Sequence, residues 1–137
     1  MSARSNDLSR IQEIYDIIVQ TQEQLSSLQF TEERFLDPQD DTDDLLAEGF
    51  MNRVFRVTEE LGHIEDTVAQ KYGFDTRGAK GVRNRLAHVY GEVDKQIVWK
   101  VLAEEFDEIE AACRQYGADL GINIASADEE ADESAES

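Results

Sequence analysis

The segment from Gly81 to Trp99, GVRNRLAHVYGEVDKQIVW, gathers the side chains of this sequence best suited to work on a phosphodiester. An imidazole such as that of His88 titrates near neutrality, so it can take a proton from one hydroxyl and return it to another oxygen. Arg83 supplies a fixed cation whose forked N–H donors match phosphate oxygens. On a helix Asn84 and His88, at i and i+4, share a face, where the amide can hydrogen-bond the imidazole and set its tautomer. These types suit cleavage of RNA by its own 2′-hydroxyl. That reaction needs a proton acceptor, a proton donor for the leaving 5′-oxygen and positive charge on a crowded phosphate. It requires no metal or other cofactor, and the sequence offers no ligand cluster for one.

The spacing also poses a problem. On an ideal helix Arg83 and His88 diverge by about 140°. They can serve one site only through the long guanidinium arm, a distorted helix end near Gly91, or a second copy of the chain. Arg83 and Tyr90, at i and i+7, do share a face. Lys80 and Arg85 are candidates to hold RNA phosphates, with solvated surface charge as the plain alternative. From spacing alone, a surface ion-pair helix with a satisfied histidine is the preferred reading.

The elements that must position these residues read as helices. Pro38 is the single proline of 137 residues, and glycines are few, which disfavours a many-turned β fold. Leu8, Ile11, Ile14, Tyr15, Ile18 and Leu25 mark a first helix from about Leu8 to Leu28. A short second helix follows a Thr31 N-cap, with Phe30 and Phe35 placed as a staple across it, and ends at Asp37-Pro38. The longest seam, Leu46, Phe50, Val54, Val57, Leu61, Ile64, Val68 and Tyr72, predicts one continuous third helix between the Asp40–Asp44 cluster and Gly73. A fourth carries Val82, Leu86 and Val89 from the Gly78 region to Gly91. A fifth runs from an Asp94 N-cap through Val98, Leu102, Phe106, Ile109 and Cys113 to Tyr116, stopping at Gly117. The expected architecture is all-α, an antiparallel bundle of four to five helices over residues 1–117, with residues 118–137 an acidic disordered tail.

Composition bounds the setting. The formal net charge is -18, from 13 Lys+Arg against 31 Asp+Glu, which opposes nucleic-acid binding when taken as a sum. The distribution is uneven. Lys71, Arg77, Lys80, Arg83, Arg85, Lys95 and Lys100 face only Asp75, Glu92 and Asp94 within one stretch, so an acidic protein carries a locally basic segment. Abundant aspartate with more arginine than lysine suggests a halophilic host with a salty cytoplasm. No stretch is long and apolar enough to span a bilayer and the first residues lack a signal-like apolar region, so a cytoplasmic protein with no membrane association is expected. Cys113, the single cysteine, falls on an apolar stripe and reads as a small core residue.

The string R-N-x-x-x-H-x-Y, followed by a short turn and the helix opening VDKQIVW, resembles the HepT-like group of the HEPN superfamily. The hallmark is an arginine, a polar residue after it and a histidine beyond, here Arg83, Asn84 and His88; the group adds a tyrosine two residues on, here Tyr90. Many relatives place a carboxylate in the third helix where this chain has Gly62-His63. With the whole motif the catalytic reading overtakes the plain one. The resemblance implies a HEPN-like helical bundle acting as a symmetric homodimer with the motif in the cleft between protomers. It implies an endoribonuclease toxin of a toxin–antitoxin pair, cleaving tRNA or mRNA, with His88 as acid/base, Arg83 on phosphate and Asn84 orienting the site. It further implies a partner, an MNT-type nucleotidyltransferase antitoxin, that neutralises the toxin by AMPylation of Tyr90. The alternative is a non-catalytic helical dimer that serves as binding module or substrate of such a nucleotidyltransferase.

Overall fold

A computed structural model describes residues 3–88 and 93–125, without the side chains of 3–5 and 86–88. Tyr90, Val89, Gly91, the side chain of His88 and the acidic residues from 126 onward lie outside the described residues.

The apolar stripe beginning at Leu8 is the buried face of α1 (Ala3–Ser27), where Ile11, Ile14 and Ile18 lose all exposure. Thr31 caps α2 (Glu32–Leu36), its side chain accepting from the Arg34 N–H. Both flanking phenylalanines are buried, yet their ring contacts run elsewhere than a staple: Phe30 meets Phe50 at 5.0 Å and Phe35 meets Trp99 at 5.4 Å. Asp40 caps α3 (Asp41–Leu61) through the Asp43 N–H at 2.8 Å. Helix α3 runs antiparallel to α1. Arg10 near the start of α1 pairs with Glu60 near the end of α3 at 3.0 Å, and Thr21 accepts from Arg53 at 3.0 Å.

The expected third helix is not continuous. It stops at Leu61, and α4 (Asp66–Tyr72) starts afresh. The last turn of α3 tightens into three-residue hydrogen bonds, Gly62 N–H to Glu59 O and His63 N–H to Glu60 O, both 3.1 Å. Ile64 remains buried at the break, so the apolar period passes through it undisturbed. Gly73, at φ +82, closes α4 in the left-handed conformation that glycine tolerates. The motif helix is α5 (Arg77–His88), with Gly78 and Gly81 inside it rather than before it.

Asp94 caps α6 (Lys95–Lys100) as expected, accepting from the Gln96 N–H at 2.8 Å. A π-helical turn, Val101–Glu105, joins it without interruption to α7 (Phe106–Asp119). Helix α7 lies antiparallel to α1, with Gln22 to Asp107 at 2.6 Å and the Cys113 thiol toward the Ile11 carbonyl at 3.7 Å. Cys113 is fully buried, and desolvation drives its thiol pKa well above the ordinary range, as fits a core residue.

Packed structure extends past the boundary expected at Gly117. Helix α7 continues to Asp119, and Gly121, at φ +73, turns the chain so that Ile122 N–H reaches the Gly117 carbonyl at 2.8 Å. Ile124 and Ala125 are then buried, and the Ile124 carbonyl accepts from Gln12 at 3.0 Å. The result is an all-α antiparallel bundle, with no strand among the described residues. No described helix is long and apolar enough to cross a membrane.

A chain with a net charge of -18 is repelled by itself wherever carboxylates crowd, as at the start of α3. Raising KCl from about 0.1 to 1 M shortens the Debye length from about 10 to 3 Å. The melting temperature should therefore rise over that range. A flat or falling melting temperature would refute the salt-adapted reading of the composition.

Candidate functional site

Helix α5 carries the motif across the junction of α3 and α4. Its inner face holds Ala79 and Val82, both buried, and it packs on α3, α6 and the π-helical turn. The face one position on from Val82 places Arg83 over Gly62, the residue at which α3 ends. A Cβ built on Gly62 would stand 2.6 Å from Arg83 Cδ and 3.0 Å from its Nη1. The bare glycine is thus the shelf on which the arginine stem lies. Gly62 itself has ordinary right-handed backbone (φ -67, ψ -17), so space for Arg83, not conformation, is what glycine supplies here.

Arg83 lines a cleft of about 90 Å³ together with Lys80, Asp75, Asp66 and Gln70, floored by Phe74. Its charged lining is balanced, with Lys80 and Arg83 as cations and Asp66 and Asp75 as carboxylates. Lys80 stands 3.8 Å from Asp75, so its charge is partly answered. Among the described residues no hydrogen bond or salt bridge holds the Arg83 guanidinium. A half-exposed guanidinium without a described partner can offer its forked donors to an anion.

Of the motif residues whose side chains are described, Arg83 lines the cleft and Asn84 does not. Lys80 and Arg83 share the cleft, one turn apart. Asn84 and Arg85 are exposed and do not line it. His88 is the last described residue of α5, with its side chain outside the described residues, as is all of Tyr90. Trp99, half-buried at the far side of α6, packs on Phe35 and belongs to the scaffold.

Two residues at this site were not picked out from the sequence. Gly62 was noticed only as the place where relatives have a carboxylate; its use as a shelf depends on a residue far along the chain. Glu105 was passed over within an acidic run, yet it is buried and binds the first turn of α5. The signal for it was present: of Glu104 and Glu105, Glu105 falls on the apolar stripe of Val98, Val101, Leu102 and Ile109.

The family model described as "Ribonuclease HepT-like" matches residues 11–116, which span every element framing the cleft. No curated protein and no solved structure matches the chain.

Proposed function

Because the chain belongs to the HepT-like ribonuclease family, we propose that it is a metal-independent endoribonuclease, the toxin of a toxin–antitoxin pair, in which Arg83 binds the scissile phosphate. The observation that carries this reading is the Arg83 guanidinium, bonded to no described residue, laid over Gly62 in a cleft that it shares with Lys80. His88 takes the proton of the 2′-hydroxyl as that oxygen attacks phosphorus. The P–O5′ bond breaks, the imidazolium protonates the departing 5′-oxygen, and a 2′,3′-cyclic phosphate remains. Arg83 balances the charge that builds on the phosphoryl oxygens. Asn84 orients the imidazole, while Lys80 and Arg85 hold flanking phosphates.

The outward Asn84 and the cleft-lining Arg83 address different directions, which suits a homodimer in which each protomer completes the other's site across a twofold axis. Tyr90 is the position at which a nucleotidyltransferase partner adds AMP. The modification places bulk and negative charge beside the phosphate path and so shuts out RNA.

The test is incubation of the purified chain with total tRNA in EDTA, beside His88→Ala. Cleavage by the unaltered chain, lost in the variant, supports the reading. Cleavage that needs added Mg²⁺ defeats it. The net charge of -18 favours a second reading, a non-catalytic dimer that only presents Tyr90. Adenylylation lost in Tyr90→Phe, with no cleavage under any condition, would select it.

A further inference from the structure

The start of α5 is held in an unusual way. The first N–H groups of a helix have no partner within it and are commonly taken by the side chain of the N-cap residue. Thr76 occupies that place, its carbonyl accepting from the Lys80 N–H at 3.0 Å. Its own hydroxyl is buried and bonds to nothing among the described residues. The donors go instead to Glu105, which reaches over from the π-helical turn. Gly78 N–H donates to Oε2 at 3.0 Å and Ala79 N–H donates to Oε1 at 3.1 Å.

Burial of a carboxylate is tolerable only with such donors, and the positive end of the α5 dipole adds to them. Gly78 makes the approach possible, since a Cβ there would collide with Oε2 of Glu105 and stand 3.0 Å from Val101 Cγ2. Two oxygens on two successive amides fix both the position of α5 along its axis and its rotation. Rotation matters because each residue turns the helix by about 100°. Arg83 stands about one turn further on, so an error at the first turn passes to it through the rigid helix.

We infer that Glu105 is a positioning residue for the Arg83 site, acting through the first turn of α5 without touching the substrate. The catalytic part of this rests on the ribonuclease reading. Misplacement of a reacting group by about 1 Å can cost on the order of a hundredfold.

Glu105→Gln keeps the shape and turns one acceptor into a donor facing an amide N–H. In this variant hydrogen exchange at the Gly78 and Ala79 amides should speed up, and the Arg83 Nε resonance should shift. At a temperature where the variant is fully folded, kcat for RNA should fall about tenfold or more, with KM changing much less. Gly78→Ala should produce a comparable loss by steric means, which covers the case of a poorly folded Glu105 variant. Adding Gly78→Ala to Glu105→Ala should cause much less further loss than Gly78→Ala alone, because the colliding carboxylate is gone and only the Val101 methyl must give way. An unchanged kcat in folded Glu105→Gln, or losses that simply multiply in the double variant, would overturn the inference. The two spectroscopic readouts need no activity. Altered exchange and a shifted Arg83 resonance in a chain that cuts no RNA would sink the ribonuclease reading and leave the positioning contact standing. An Arg83 resonance unmoved by Glu105→Gln would sink the positioning contact whatever the activity.

Discussion

Arg83→Ala should reduce RNA cleavage by about a hundredfold to a thousandfold, the usual effect of deleting a charge-stabilising donor, while the bundle stays folded. The second half of the expectation follows from the structure. The guanidinium bonds to no described residue, so its removal leaves no buried group orphaned. Arg83→Lys should recover only part of the activity, since an ammonium cannot make the forked contact. Gly62 gives a subtler probe of the same group. Its backbone suits alanine, and such a replacement often stabilises a protein by about 0.4–1 kcal/mol through the unfolded chain. The new methyl would nonetheless strike the Arg83 stem. Gly62→Ala should therefore lose cleavage with no loss of stability, and should add nothing in an Arg83→Ala background. Single-turnover cleavage rates and urea melts on the four proteins check this. Full activity in Gly62→Ala would show that Arg83 does not need its observed seat.

The second large effect concerns the scaffold. Helix α2 has five residues, far too few to be stable alone, and Phe35 is its one buried residue. Its ring is fully enclosed and packs at a tilt against Trp99. Phe35→Ala should cost about 3–5 kcal/mol, the range for emptying a core aromatic site. That is a large share of a typical total of about 5–15 kcal/mol. The melting temperature should drop by on the order of 10 °C, and Trp99 fluorescence should shift to the red as water reaches the vacated side. A drop of only a degree or two would mean that the neighbouring core collapses into the space.

Local features were legible in the sequence because their causes are local. The Thr31 and Asp94 caps sit three and two residues from the amides they bind, and the α1 stripe follows from helical spacing alone. The break after Leu61 was hidden because Leu61, Ile64 and Val68 keep a helical period straight through it. That Gly62 leaves room for Arg83 could be seen only once the two helices were brought together. Phe30 and Phe35 were placed correctly at a cap, but their ring partners, Phe50 and Trp99, come from other helices that local spacing does not reveal. Hydrophobicity marked the end of α7 too early, since Ile122 and Ile124 follow a turn and not a period. At the candidate site, residue types pointed to phosphate chemistry. What spacing could not supply was direction: that Lys80 and Arg83 line one cleft while Asn84 and Arg85 do not.

The wide turn at Val101–Glu105 lets a single rod answer to two sets of neighbours. Its α6 portion meets α2 and α5, and its α7 portion meets α1 and α4. An unbroken α-helix would lock the angular phase of one portion to that of the other. With a loosened joint between them, the side bearing the motif helix can be re-aimed over evolutionary time without unseating the packing of α1, and drift in the scaffold need not disturb the cleft at Arg83.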